Sequence, residues 1–280
     1  MEFDLKNMDC VDGVAALPDH SIDMSVYSPP FADLFVYSDD ERDMGNCQNM
    51  DEFLAHYDFL LTELVRVMKS GRIVAVHCSD LPTVKFKDGF IGLRDFPGDL
   101  IRAHQKAGFI YHSRVTIWKD PVTEMQRTKA LGLLYKQLTK DSTKSRQGLS
   151  DYVLIFRAPG ENQVAVEQKR ENFPLDQWQE WASPVWNDIR QTKTLNVRPG
   201  RGINDERHVC PLQLDLIQRC VLLWSNPGET ILSPFTGIGS EGFVALEEGR
   251  NFVGFELKKS YYDTAIDNLT VAAGQGRMFA

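Results

Sequence analysis

The stretch from Thr230 to Glu256 constrains this chain most. Thr230-Ile-Leu-Ser233 is a short strand-like run, and it leads into Phe235-Thr-Gly-Ile-Gly-Ser240. A helix to Gly249 follows, then a second strand, Asn251-Phe-Val-Gly-Phe-Glu256. Gly237-Ile-Gly239-Ser-Glu-Gly242 therefore matches G-x-G-x-x-G after a strand and at the opening of a helix, with an acid closing the next strand. In that arrangement a backbone turn comes close to a nucleoside, and the carboxylate of Glu256 can accept from ribose hydroxyls. A tight turn in an unrelated α/β unit would carry the same glycines, so the loop alone leaves the ligand open.

The rest of the chain extends the same alternation. Ser21–Tyr27 reads as a strand ending in Ser28-Pro-Pro-Phe31. From Asp51 to Lys69 the apolar residues Phe53, Leu54, Tyr57, Leu60, Leu61, Leu64, Val65 and Met68 recur at helical spacing, and Gly71 is expected to end that element. Ile73–His77 is expected as a buried strand, Leu100–Ala107 as a helix stopped by Gly108, and Phe109–Trp118 as a strand. Pro211 is placed in the first turn of a helix carrying Leu212, Leu216, Ile217, Cys220, Val221 and Trp224, and a last helix begins near Ser260. Strands alternating with helices predict an α/β, doubly wound, Rossmann-like, mostly parallel sheet. Residues 1–121 and 206–280 form its two halves. Between them, 122–205 loses the pattern except for a strand at Tyr152–Phe156, and is expected to be an inserted region facing substrate.

Charge and cysteines narrow the function classes. The net charge of −8 argues mildly against a nonspecific nucleic-acid coat, yet phosphates respond to local fields. Arg127, Lys129, Lys136, Lys140, Lys144 and Arg146 lie in one short stretch of the inserted region, and Arg190, Lys193, Arg198, Arg201 and Arg207 form a second cluster that runs just past its end. Such runs are either a solvated face or a DNA-binding surface. The five cysteines show no paired spacing and the histidines no metal-binding spacing, so no metal is expected. Without a long apolar run or a leader-like start, the expected location is the cytoplasm.

Ser28-Pro-Pro-Phe31 chooses among ligands. Two prolines after an apolar strand cannot continue its hydrogen bonding, and they stiffen the carboxyl edge where open parallel sheets bind ligands. The loop offers a hydroxyl, a rigid carbonyl at Pro29 and an aromatic face at Phe31. That set suits a planar heterocycle bearing an NH2 group, although any S-P-P can be a plain turn. The glycine loop by itself serves NAD and S-adenosylmethionine alike, so an NAD-dependent oxidoreductase is a competing reading, one that leaves the S-P-P-F loop without a role. A noncatalytic DNA-binding module is a third.

Together these motifs resemble the DNA amino-methyltransferases. Ser28-Pro-Pro-Phe31 looks like their catalytic tetrapeptide, Leu232-Ser-Pro-Phe-Thr-Gly-Ile-Gly239 like their S-adenosylmethionine motif, and Phe252-Val-Gly-Phe-Glu256 like the motif with the ribose-binding acid. Asn7-Met-Asp9-Cys10, Leu64-Val-Arg-Val-Met-Lys-Ser-Gly71, Ile117-Trp-Lys-Asp-Pro121 and His208-Val-Cys-Pro211 are further matches. The catalytic loop precedes the cofactor loop, the permuted order of the β class, and the likeness spans nearly everything outside 122–205. The resemblance implies a class I methyltransferase fold with a target-recognition insertion, and S-adenosylmethionine as cofactor. It implies a catalytic role for Ser28, Pro29, Pro30 and Phe31. It implies cofactor contacts from Phe235, Gly237, Gly239, Ser240 and Glu256, with Asp9 at the adenine and His208 and Pro211 near the methionine end. One departure is Ser233, where family members usually carry Asp. The implied partner is DNA with its target base flipped out, and Ser at the head of the tetrapeptide leans toward cytosine-N4 over adenine-N6. A homodimer and a cognate restriction enzyme, or a solitary enzyme without one, stay open.

Overall fold

The computed structural model describes residues 1–31, 40, 42–83, 85–128, 130–171, 173–196 and 211–276. The first half runs β1 (Phe3–Lys6), α1 (Cys10–Ala15), β2 (Ile22–Tyr27), α2 (Met50–Val67), β3 (Met68–Ser79), β4 (Leu81–Pro82), α3 (Lys85–Asp88), β5 (Leu93–Arg94), α4 (Phe96–Ala107) and β6 (Ile110–Ile117). Then come α5 (Pro121–Thr128), α6 (Tyr135–Lys140), β7 (Asp151–Arg157), α7 (Leu175–Trp181) and β8 (Val185–Trp186). The chain closes with α8 (Leu214–Trp224), β9 (Thr230–Ser233), α9 (Ser240–Glu247), β10 (Asn251–Phe255) and α10 (Lys259–Gly276). Among the described residues no helix is long and apolar enough to cross a membrane.

Eight strands make one sheet in the order β1-β10-β9-β2-β3-β7-β6-β8, while β4 and β5 form a small ladder. Pairing is parallel from β1 through β3; β7 is antiparallel to both β3 and β6, and β8 is parallel to β6. Strand residues alternate between two apolar layers, which is why these strands read as unbroken hydrophobic runs. Val74, Val76, Leu154 and Phe156 face the layer under α1, α2 and α4. Ala75, Val153, Ile155, Met24 and Val26 face the layer under α8, α9 and α10.

Local chemistry sets the helices. Asn49 caps α2 by accepting from Glu52 N at 2.9 Å, and Glu52 Oε2 reaches back to accept from Gln48 N at 2.7 Å, a reciprocal cap. Its buried stripe of Phe53, Tyr57, Leu60, Leu61, Leu64 and Val67 stabilises the packed helix by about 1.5–3 kcal/mol per large side chain. Gly71 does not end this helix, as the sequence suggests; Val67 does. The chain goes straight into β3, and Gly71 at φ 71° forms a bulge there, so that Ile22 pairs with Met68 while Met24 pairs with Ile73. Pro211 likewise lies ahead of α8, whose cap is Gln213.

Part of the stretch expected as an insertion, 122–205, contributes to the sheet. Its strand β7, apolar on both faces, lies in the sheet between β3 and β6. The stretch after it is seated by Arg219 of α8. That guanidinium is 4.7 Å from the Trp181 ring centroid and 4.8 Å from that of Trp186, and it pairs with Asp188 at 2.6 Å.

Adjacent strands β2 and β9 lead in opposite directions, β2 onward to β3 and β9 onward to β10. Their carboxyl ends form the topological switch point, where open α/β sheets bind ligands.

Candidate active site

The catalytic loop leaves β2 on a rigid polar foundation. Tyr27 is fully buried; its hydroxyl lies 2.8 Å from the Tyr57 hydroxyl and 3.3 Å from His104 Nε2. His104 Nδ1 donates to Leu100 O at 2.8 Å, so Nε2 is the acceptor, and the ring stacks on Phe156 at 3.9 Å. Burial lowers the His104 pKa to about 3, which keeps the imidazole neutral. One residue further on, Ser28-Pro-Pro-Phe31 turns outward. Phe31 meets the edges of His77 and Phe96 at centroid distances of 6.4 and 6.1 Å.

This loop and the glycine loop line one cavity of about 190 Å³. Ser28, Pro29, Pro30, Phe31, Asp9, Phe235, Gly237, Ser240, Glu256 and Pro211 all border it. Sequence reasoning thus brought together residues that lie at opposite ends of the chain. Gly239 is not on the wall. It sits behind the loop at φ 93°, where an added Cβ would lie 3.2 Å from Ala265 Cβ, so its backbone conformation and the packing of α10 require glycine. His208 lies outside the described residues.

Each cofactor-side residue has a definite environment. Asp9 caps α1 through Oδ1, accepting from Val11 N at 2.9 Å and Asp12 N at 3.3 Å, which leaves Oδ2 available. Glu256 accepts from Gly237 N and from Lys258 N, both at 2.8 Å, and so fixes the glycine loop. Burial raises the Glu256 carboxyl to about 7 against the lowering effect of those two amides. Glu241, also on the cavity wall, is raised by burial to about 8. Ser233 is fully buried and its Oγ finds no partner among the described residues. It is not among the residues that border the cavity.

Sequence reasoning missed the groups behind Ser28. Its Oγ is 3.1 Å from His77 Nδ1 and 3.3 Å from His77 O. His77 Nε2 in turn lies 3.1 Å from Asp151 Oδ2, close enough for charge interaction although the N–H is not aligned on that oxygen. Lys119 Nζ pairs with Asp151 Oδ1. Burial would raise the Asp151 carboxyl, but His77 and Lys119 outweigh it and hold the pKa at about 2. The available signals were a histidine at the carboxyl end of an apolar strand and an acid at the start of another.

The cavity thus joins a nucleoside-type pocket to an acceptor-lined, aromatic-walled loop. A sequence model of the N6/N4 DNA methylases matches residues 22–267. This chain belongs to that DNA methylase family. The type II methyltransferase M.Cfr9I of Citrobacter freundii is 25% identical over 288 residues, covering 93% of this chain and 85% of that protein. The DNA adenine methyltransferase YhdJ of Escherichia coli (strain K12) is 27% identical over 170 residues, covering 59% and 54%. Among solved structures, PvuII DNA methyltransferase (cytosine-N4-specific) superposes with a TM-score of 0.65 at 14% identity over 99% of this chain and 93% of its own. TTHA0409 from Thermus thermophilus, complexed with S-adenosyl-L-methionine, gives 0.73 at 20% over 97% and 94%. The methylase is an S-adenosylmethionine-dependent enzyme acting on an exocyclic amine of DNA, and family membership displaces the oxidoreductase and noncatalytic readings. The residues on the wall fit that cofactor: an acid beside a glycine turn for its ribose, and an available carboxylate oxygen at Asp9 for its adenine.

The methylase's basic stretch divides by partner. Lys136 and Lys140 on α6 are exposed and have no ion pair among the described residues. Lys144 pairs with Asp141 at 3.3 Å, and Arg146 turns inward to buried Glu124 at 3.3 Å. Arg127 lies on α5, and Lys129 lies outside the described residues. In the second cluster, Arg190 and Lys193 both pair with Asp215, while Arg198, Arg201 and Arg207 lie outside the described residues.

Proposed function

We propose that this DNA methylase methylates the N4 amine of a cytosine flipped out of the duplex, with the base held in the Ser28-Pro-Pro-Phe31 loop. The observation that carries this reading is the single cavity shared by that loop and by Asp9, Gly237 and Glu256. The exocyclic nitrogen is a weak nucleophile because its lone pair is delocalised into the ring. Ser28 Oγ and the Pro29 carbonyl accept its two hydrogens and favour a pyramidal nitrogen directed at the methyl donor, so alignment supplies most of the acceleration. Phe31 stacks on the ring and offsets part of the cost of unstacking. Asp9 and Glu256 hold the adenosine of the cofactor, with Phe235, Ser240 and Pro211 on the same wall. Lys136 and Lys140 reach DNA phosphates from α6.

Ser28 at the head of the tetrapeptide favours cytosine, and the PvuII enzyme of the same fold is cytosine-N4-specific. Adenine-N6 is the second reading, favoured by the likeness to an adenine methyltransferase of Escherichia coli. Mass spectrometry of nucleosides from unmethylated DNA treated with enzyme and isotope-labelled cofactor decides between them. Labelled N4-methylcytosine is expected, and labelled N6-methyladenine would assign the other base.

A further inference from the structure

We propose that His77, backed by Asp151 and Lys119, is a positioning residue that sets the polarity of the Ser28 hydroxyl and receives its proton during methyl transfer. The inference rests on the reading of Ser28 as an acceptor for the target amine.

A serine hydroxyl can donate or accept, and only one choice serves this reaction. If Ser28 sends its proton into the cavity, it points a donor at an amine whose lone pair must remain free to attack. The residues behind Ser28 remove that choice. Asp151 is buried, its pKa lies near 2, and its Oδ2 lies 3.1 Å from His77 Nε2. Although the N–H is not aligned on that oxygen, the charge of a carboxylate at this distance favours the tautomer with hydrogen on Nε2, which leaves Nδ1 as an acceptor. Nδ1 is 3.1 Å from Ser28 Oγ, and the His77 carbonyl, a second acceptor, is 3.3 Å away on the same residue. The Ser28 proton is therefore drawn to His77, and the oxygen lone pairs face the cavity.

Charge balance gives His77 its second task. As the new N–C bond forms and the methyl–sulfur bond breaks with its electron pair going to sulfur, the amine nitrogen becomes cationic. It passes one proton to Ser28 Oγ while the hydroxyl proton moves to His77 Nδ1. The imidazolium so formed stands beside Asp151, already ionised, and later returns its proton to water. His77 first, and Lys119 after it, hold the Asp151 carboxyl in the acid range, so that Asp151 does not take that proton itself.

Lys119 also makes the test unusually sharp. The ammonium pairs with Oδ1 and the imidazole with Oδ2. In Asp151→Asn the ammonium retains the carbonyl oxygen, so the amide NH2 is presented to Nε2. The ring must then carry its hydrogen on Nδ1 and donate it to Ser28, reversing the hydroxyl. Such a tautomer error costs about 10⁴ in turnover in the serine hydrolases.

The experiment compares single-turnover methylation, thermal stability and ring-nitrogen NMR shifts of labelled histidine in wild type, Asp151→Asn, Asp151→Ala, His77→Ala and Ser28→Ala. The wild-type His77 ring is expected in the Nε2–H form at pH 8, and in the Nδ1–H form in Asp151→Asn. Turnover is expected to fall about a hundredfold or more in Asp151→Asn and at least tenfold in His77→Ala. Asp151→Asn should be slower than Asp151→Ala while being the more stable of the two, the reverse of what a purely structural role produces. An Nδ1–H ring in wild type, or near wild-type turnover by Asp151→Asn with a slow Ser28→Ala, would overturn this inference alone. Near wild-type turnover by Ser28→Ala would remove the reading of Ser28, and this inference with it.

Discussion

Glu256 should make cofactor affinity depend on pH near neutrality. The carboxyl lies against the cavity wall, accepts from the amides of Gly237 and Lys258, and is raised by burial to about 7. With Glu256 as the proposed ribose acceptor, a ribose hydroxyl would donate to the carboxylate, so binding should select the ionised form and expel a proton. For a group titrating at about 7, roughly nine in ten carboxyls are protonated at pH 6 and one in ten at pH 8. Affinity should therefore fall about tenfold from pH 8 to pH 6. The sign is opposite for stability of the ligand-free protein: a carboxyl raised in the folded state weakens folding as pH climbs from its unfolded value of 4.5 through about 7. Glu241, raised to about 8 on the same wall, titrates nearby, so the measurement belongs in a Glu241→Gln background. Titration calorimetry of S-adenosylhomocysteine in two buffers of different ionisation enthalpy reads affinity and proton release together. Glu256→Gln should bind more weakly and lose the pH dependence. Flat affinity with no proton release between pH 8 and 6, or an unchanged pH profile in Glu256→Gln, would refute the reasoning.

Other perturbations probe separate parts of the account. Phe31→Ala removes a stacking face worth about 1–3 kcal/mol per base, so it should weaken DNA binding and methyl transfer together, and an abasic or mismatched target should partly restore binding. Removing Lys136 and Lys140 should lower the slope of log affinity against log salt by about one for each true phosphate contact, and an unchanged slope would make α6 a merely solvated face. Arg219→Ala should cost about 2–4 kcal/mol in thermal or denaturant unfolding, because it empties the slot between Trp181 and Trp186 and strips Asp188 of its partner. Arg219→Lys should recover little of that loss, since an ammonium cannot stack between two indoles.

How much of this was legible in the sequence follows from the range over which each signal acts. The β9–loop–α9–β10 unit is a local pattern, and it was readable with its boundaries nearly intact. Ser28-Pro-Pro-Phe31 was readable because proline restricts its own backbone whatever surrounds it. The bulge at Gly71 was not, since a glycine after a helix looks like a stop unless the partner strand is known. The same limit explains Gly239: its conformation is local, but the reason an added side chain fails is Ala265 on another helix. His77 and Asp151 face one another only because β7 enters the sheet antiparallel beside β3, a pairing no local periodicity announces. The run from Arg127 to Arg146 read as one basic surface, whereas Arg146 is turned to buried Glu124, a contact that depends on the return of the chain after α6.

The most direct test of the central claim is single-turnover methylation by Ser28→Ala at saturating cofactor and DNA. The substitution removes one oxygen from the loop and leaves Phe31, the glycine loop and Glu256 in place. Transfer is expected to slow by about a hundredfold or more, with cofactor and DNA affinities within about twofold of wild type, because the hydroxyl acts chiefly at the reacting geometry. Near wild-type transfer by Ser28→Ala would show that the tetrapeptide is only a turn and that the chemistry takes place elsewhere.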